Sequence, residues 1–443
     1  MSELRTLPQV EPPDAAGSAR ATPGSATEYR CPGEGYAISR AVHLARLATF
    51  YDKCNGCPLA HDDGALLPVS RRRQLAARPP RPEFAELFDT TGVRGTFGRE
   101  LTPRVARRIA LAFGVHLRDL GVRPDEACCL ATDGGLLTPE IVAAASEALR
   151  WCGLSVVDVG ATTAPALVAT QLARDSAASL YIGQSRQPAH QVTVQFWGPD
   201  ARPWSLPGSL GQVRQLAAAP LDRPTRHGGS TSRDGIAPGY LERLGSHYHA
   251  LRPLRIVLET ACTPWRKQFA ELLAQVRCEL IDAAEQVDAE QGGVARLPGM
   301  SKEAELASPA AQAPCPAAPL PPALPCSRLA LRVVECQAHL GIAIGDDGQS
   351  LAIVDDYGSV IENARLAAAL AEAAGGQAHV DSALPPERFY ADMRTTGAGV
   401  GVSAAARVWF ADRDPPVADP LAAVAALLVL LSQSDRPVSA VFG

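Results

Sequence analysis

No apolar run in this sequence is long enough to cross a bilayer. The longest, Leu421 to Leu431, falls well short of the roughly 20 residues a spanning helix needs, and it reads as a buried helix of a globular core. Positive charge is not in excess either. The 42 Lys and Arg stand against 47 Asp and Glu, for a formal charge of −5, which argues against a nucleic-acid surface. The one dense basic run, Ser70-Arg-Arg-Arg73, precedes Pro79, Pro80 and Pro82 and reads as a solvated connector. An apolar, signal-like N-terminus is lacking. The 11 cysteines are scattered and odd in number, which is not the pattern of a disulfide framework. These absences predict a cytoplasmic protein with neither membrane nor nucleic acid as partner.

What remains is long enough, at 443 residues, for two or three domains, each with its own core. Residues 1–28 are rich in Pro, Ala, Gly and Ser and are expected to form a disordered tail. Residues 29–65 form a cysteine-bearing extension, in which Ile38, Val42, Ala45, Ala48 and Tyr51 recur at helical spacing, predicting a helix over 36–51. A Pro/Arg linker covers 66–83. Helix and strand signals then alternate: helices over 103–120, 139–151 and 165–175, and strands over 127–131, 154–159 and 180–182. Short apolar runs between helices predict an α/β fold, with mostly parallel sheet covered on both faces.

A Gly/Ser/Arg/Pro stretch makes 209–235 a second linker, and the βα pattern resumes over 236–286. Residues 287–327, where Ala313-Pro-Cys-Pro-Ala-Ala-Pro-Leu-Pro-Pro-Ala-Leu-Pro325 lies, form a Pro/Ala-rich linker. A last unit, 328–443, contains the hairpin signal of 340–344 and 351–354.

Two groups of residues point to chemistry. Ser185 closes the apolar strand Leu180-Tyr-Ile182 in a tight polar loop, where a hydroxyl is well placed as a nucleophile or phosphate carrier. In the extension, Cys54-Asn-Gly-Cys57 with Cys31 and His61 offers ligand types suited to Zn²⁺ or an iron–sulfur cluster. The pair also suits a redox dithiol, and the plainer, preferred reading is two reduced structural cysteines about an Asn-Gly turn.

Four segments in order give the chain a family likeness. Phe88-Asp-Thr-Thr-Gly-Val-Arg94-Gly95, Asp158-Val-Gly160-Ala-Thr-Thr-Ala-Pro165-Ala, Ile182-Gly-Gln-Ser185-Arg-Gln-Pro188 and Leu340-Gly-Ile-Ala-Ile-Gly-Asp-Asp347-Gly-Gln resemble the opening motif, strand-to-helix turn, phosphoserine loop and metal loop of the α-D-phosphohexomutases, the phosphoglucomutase and phosphomannomutase type. The resemblance implies successive three-layer α/β/α domains: domain I over 84–208, a reduced domain II over 236–286 and a reduced domain III over 328–443. The family's fourth domain, which clamps the distal phosphate, is absent from this reading.

In that family a phosphoserine exchanges its phosphoryl group with a hexose phosphate, with Mg²⁺ and cationic side chains neutralising the developing charge. Ser185 takes the phosphoserine position. Asp347 is in register with a Mg²⁺ ligand of the family's D-G-D-x-D-R loop, but Gly345 and Gln349 replace the other two carboxylates, Ser350 replaces the arginine, and only Asp346 stands nearby. Such a loop holds Mg²⁺ weakly, and a polar hairpin turn using Gly348 is the preferred reading. Ser403 is what remains of the sugar-recognition loop. Arg94 is kept, either to meet a substrate anion or to tie down its own loop. His190 is read as an ordinary loop histidine.

The expected function is therefore a catalytically impaired homologue with a binding or scaffolding role towards a sugar phosphate, a protein partner or a second copy of itself. The alternative is an active phosphoglucomutase/phosphomannomutase-type phosphotransferase using Ser185. A second alternative is a metal or redox protein working through the cysteine segment.

Overall fold

The computed structural model describes residues 29–48, 51–54, 57–59, 62, 84–185, 190–283, 326–381, 384–411 and 417–442. The expected tail, the 66–83 linker, His61 and nearly all of the 287–327 linker lie outside the described residues. The chain divides into two compact units, Met1–Arg81 and Pro82–Gly443.

In the first unit the helix is shorter than its periodicity predicts, running Arg40–Ala48. Its start is set by local hydrogen bonding. Tyr29 and Ile38 pair as an antiparallel bridge, the Glu34 amide donates to the Cys31 carbonyl (3.0 Å), and the Ser39 hydroxyl caps the Val42 amide at 3.4 Å. Residues before Ser39 are thus committed to a turn. Glu34 is the polar hub of this unit. It accepts from Arg46 (2.7 Å), Tyr51 (2.8 Å) and Lys53 (3.2 Å), and the Arg46 and Tyr51 hydrogen bonds hold its carboxyl down at about 2.

The second unit begins with a six-stranded sheet. Its strands are β1 (Val93–Thr96), β2 (Ala127–Thr132), β3 (Ser155–Ala161), β4 (Ala178–Ser185), β5 (Gln191–Trp197) and β6 (Thr231–Arg233), in the order β1-β5-β4-β2-β3-β6. β4, β2, β3 and β6 run parallel, and β5 and β1 add antiparallel at one side. Successive side chains of a strand point to opposite faces, and this explains the three layers. Cys128, Leu130, Leu180 and Ile182 pack against the helices Pro103–Asp119, Pro139–Trp151 and Ser209–Ala218. Their neighbours Cys129, Ala131 and Tyr181 face Leu167 and Val168 of the helix Ala164–Ala173. Each fully buried Leu, Ile or Phe contributes about 1.5–3 kcal/mol.

Helix ends follow local chemistry. Thr102 caps the first of these helices through its hydroxyl, which accepts from the Val105 amide (3.2 Å), with Pro103 next to it. Gly153 ends the second with φ +86°, the left-handed conformation such a stop requires.

Residues 209–235 are not a linker. Leu210, Val213 and Ala217 repeat on one helix face and complete the first core, and β6 forms the sheet's far edge. The Gly/Ser/Arg/Pro stretch near 220–238 hides β6, whereas the helix lies ahead of it and its apolar spacing is legible in the sequence.

The second sheet has strands β7 (Arg255–Thr260), β8 (Glu279–Asp282), β9 (Leu340–Ile344) and β10 (Leu351–Val354), ordered β10-β9-β7-β8. β7 pairs in parallel with both β8 and β9, and β9–β10 is an antiparallel hairpin. The segment read as an interdomain linker over 287–327 therefore connects strands of one sheet, and the hairpin belongs with 236–286. A third sheet, β11 (Gln377–Asp381), β12 (Ala398–Ser403) and β13 (Val408–Phe410), follows in sequence order. The helix Pro420–Ser432, apolar all round and buried as the sequence suggests, joins Ile342, Ile353, Val400 and Val402 in one core across both sheets. Among the described residues no helix is long and apolar enough to cross a membrane.

Gly92, inside the opening Phe88–Gly95 motif, sits where a Cβ would overlap the Val194 carbonyl oxygen on β5. Backbone cannot yield as a side chain can, so Gly92→Ala should cost about 1–3 kcal/mol. A lowered Tm with an unchanged circular-dichroism spectrum is the expected result; an unchanged Tm would mean that β1 is not held against β5 in this way.

Candidate functional site

The end of β4 is fixed by a carboxylate. Asp133, just beyond β2, accepts from the Gln184 amide (2.7 Å) and the Gly135 amide (2.8 Å), while its own amide donates to the Ile182 carbonyl (3.1 Å). Burial pushes the Asp133 carboxyl up, against these backbone hydrogen bonds, which draw it down. The contacts hold the last residues of β4 rigid and deliver Ser185, opposite Gln191 in the β4–β5 register. His190 carries a backbone role: with φ +65°, its carbonyl accepts from the Phe97 amide (2.8 Å), and its side chain is exposed.

Ser185 is only 7% exposed. Its hydroxyl donates to Asp346 Oδ2 at 2.8 Å, so the serine of the first sheet meets the β9–β10 loop of the second. That loop is a tight turn. The Gly345 amide donates to the Ser350 carbonyl and the Gly348 amide to the Gly345 carbonyl, each at 2.9 Å, and Gly348 has φ +65°. The glycine is needed for its backbone, as the hairpin reading expects.

Asp347, the carboxylate in register for Mg²⁺, is turned to other partners. Its Oδ1 accepts from the amides of Gln349 (3.0 Å) and Ser350 (2.9 Å). Its Oδ2 accepts from the Ser350 hydroxyl (2.9 Å) and from Arg407 Nη2 (3.0 Å) and Nε (3.3 Å). Burial raises this carboxyl, but the Arg407 charge and the Gln349 and Ser350 amides more than offset it and leave it below the usual range. Gln349 does not point to a ligand either: its Nε2 donates to Gln195 Oε1 at 2.5 Å, both side chains buried. Gly345 has no side chain, and Asp346 holds Ser185. Mg²⁺ demands several free hard oxygens in octahedral array, and the residues of this loop do not fit it.

The remaining candidates separate. Arg94 pairs with Thr193, which pairs with Gly183, so it lies two strands away from β4, roughly 10 Å in strand spacing. Its Nε meets Asp89 Oδ2 at 3.4 Å on the surface; the arginine ties down its own loop. Ser403 begins the turn that delivers Arg407: its amide donates to the Arg407 carbonyl (3.0 Å) and its carbonyl accepts from the Ala406 amide (2.9 Å). In the first unit Cys31 and Cys57 are buried and Cys54 partly so, and none of the three is in a disulfide. Cys31 Sγ accepts from Arg46 Nη1 at 2.9 Å. Among the described residues no three His, Cys, Asp or Glu side chains come together as a metal site.

The residues that sequence reasoning missed are Arg407 and Gln195. Neither lies in a motif, and only the folded contacts single them out.

A carboxylate whose native pKa is depressed adds stability above its unfolded value and loses it as pH falls through the native one. The Asp347 contribution is thus present above about pH 4 and drains away below it. Between about pH 7 and about pH 3 the urea-unfolding free energy of the wild-type chain should fall more than that of Asp347→Asn; equal falls would show that the ion pair does not stabilise the fold.

The phosphoglucomutase/phosphomannomutase α/β/α domain I model matches residues 85–207. Phosphoglucosamine mutase of Natranaerobius thermophilus is 25% identical over 301 residues, 65% of this chain and 59% of the relative. That of Beijerinckia indica is 25% identical over 292 residues, 64% and 58% of the two chains. The chain therefore spans under two thirds of the length of these curated relatives. Among solved structures, a phosphoglucomutase/phosphomannomutase family protein of Burkholderia thailandensis superposes with TM-score 0.62 at 20% identity, covering 81% of this chain and 79% of the other. The Paramecium phosphoprotein pp63/parafusin, a phosphoglucomutase in its open form, gives 0.56 at 12% identity, covering 82% and 74%. Domain-model match, relatives and shared fold agree with the four motifs: residues 85–207 match a phosphoglucomutase/phosphomannomutase domain I, and together they support an α-D-phosphohexomutase-type chain and fold.

Proposed function

We propose that this chain is a phosphohexomutase-family homologue that has given up phosphoryl transfer and acts by binding, with a sugar phosphate as the ligand class the fold inherits. The observation that carries this reading is the 2.8 Å hydrogen bond from Ser185 to Asp346. A phosphoserine brings between about −1.5 and −2 of charge, and here it would be placed against a carboxylate. Among the described residues, Arg94 meets Asp89 on the surface and Arg407 is paired with Asp347. Losing one group that stabilises transition-state charge typically costs about a hundredfold to a thousandfold in rate.

The enzyme reading draws on the same contact, since a carboxylate accepting a seryl proton is placed as a general base. The two readings diverge on whether the serine carries phosphate. The relatives are phosphoglucosamine mutases, so the fitting donors are glucosamine 1,6-bisphosphate and glucose 1,6-bisphosphate. After incubation with either and Mg²⁺, intact-mass and phosphosite analysis should find Ser185 unmodified and no interconversion of hexosamine 1- and 6-phosphates. A phosphate on Ser185 that leaves when a hexosamine monophosphate is added would restore the enzyme.

A further inference from the structure

We infer that Arg407 is the built-in cation of the β9–β10 loop, supplying in a fixed side chain the positive charge that a divalent ion would otherwise bring to Asp347. The inference stands whether or not catalysis survives, because it concerns how the loop's charge is balanced.

Three observations converge on it. The first is the backbone that delivers the guanidinium. Ser350 and Arg407 form an antiparallel bridge, the Leu351 amide donates to the Ala406 carbonyl at 2.8 Å, and the 403–407 turn closes on itself through the Ser403 amide. Arg407 is therefore registered against the loop by main chain before its side chain makes any contact.

The second is the contact itself. Both Nη2 and Nε reach the same Oδ2, at 3.0 and 3.3 Å, with side-chain exposures of only 8% for Arg407 and 16% for Asp347. An arginine cannot shed its charge by deprotonating. If a metal displaced it from Asp347, a nearly buried guanidinium would lose its counter-ion, and that is costly. The pair therefore resists exchange in a way an exposed salt bridge does not.

The third is the neighbouring position. Gln349, where the family motif has a carboxylate, is neutral and makes a buried amide–amide hydrogen bond to Gln195. Removing that carboxylate leaves Asp347 with one fixed cation, so the pair is balanced without a second charge. Asp346 accepts from Ser185.

The test uses the full chain, with Mn²⁺ and Mg²⁺ as probes and Tm as readout, alongside Arg407→Met, Arg407→Lys, Asp347→Asn and the Arg407→Met/Asp347→Asn double variant. An ion bound in this loop at about 100 times its Kd would raise Tm by several degrees. The expected result is that the divalent ions leave wild-type Tm unchanged, or shift it equally in Asp347→Asn because they bind elsewhere. Arg407→Met should melt several degrees lower, Arg407→Lys between it and wild type, and the double variant above Arg407→Met, because the carboxylate no longer lacks a partner. A Mn²⁺-induced rise in wild-type Tm that Asp347→Asn abolishes would overturn the inference, as would an Arg407→Met chain as stable as wild type. Should Arg407→Met fail to fold, the ion titration of wild type against Asp347→Asn still decides.

Discussion

Charge is expensive to take out of water unless its counter-charge comes too, and Asp347 with Arg407 meets that condition where all three sheets of the second unit converge. The loop carrying Asp347 also touches the first sheet twice, through Asp346 to Ser185 and through Gln349 to Gln195. Other polar ties between these layers include Thr163 to Gln268 (3.2 Å) and Tyr240 to the helix-capping Asp419 (3.1 Å). Apolar burial supplies most of the folding free energy, but it is tolerant of small slips. Buried hydrogen bonds are not, because an unmatched polar group costs about 1–3 kcal/mol. The loop sets how the sheets align, while the shared apolar core holds them together.

This arrangement bears directly on the proposal that the chain binds and does not transfer. In a transferase the loop's carboxylates must remain available to an ion and the serine to a phosphoryl group. Here each side chain that could serve has found a partner within the protein, and the partners come from different sheets. In the proposed reading, chemistry and assembly compete for the same atoms, and assembly takes them.

Much of the fold was legible in the sequence because it is written locally. Central strands carry short apolar runs such as Leu180-Tyr-Ile182, helices open on Thr-Pro or close on glycine, and the β9–β10 hairpin lies in 15 contiguous residues. The errors arose where a linker was drawn too wide, taking in the helix Ser209–Ala218 with its legible Leu210, Val213 and Ala217 spacing, and where pairing is distant, as between β7 and β9. The third sheet was not assigned because β12, Ala398-Gly-Val-Gly-Val-Ser403, is too rich in glycine to look like a strand. At the site, the end-of-strand serine and the Gly348 turn were visible. The Arg407 contact spans 60 residues, and no spacing rule connects a turn arginine to a hairpin aspartate at that distance.

The pairing of β7 with β9 has a consequence for how the protein is made. β7 is complete at Thr260, yet its inner neighbour does not exist until Ile344 has left the ribosome. Through that interval a strand destined for the middle of a sheet has an open edge, and open edges invite pairing with other chains. Parallel strands joined over so long a separation close slowly. Closure itself is forgiving of length, since each doubling of the intervening chain costs only about 0.6 kcal/mol. The separation of β7 from β9 along the chain therefore weighs on how fast the sheet closes more than on the free energy of the closed sheet.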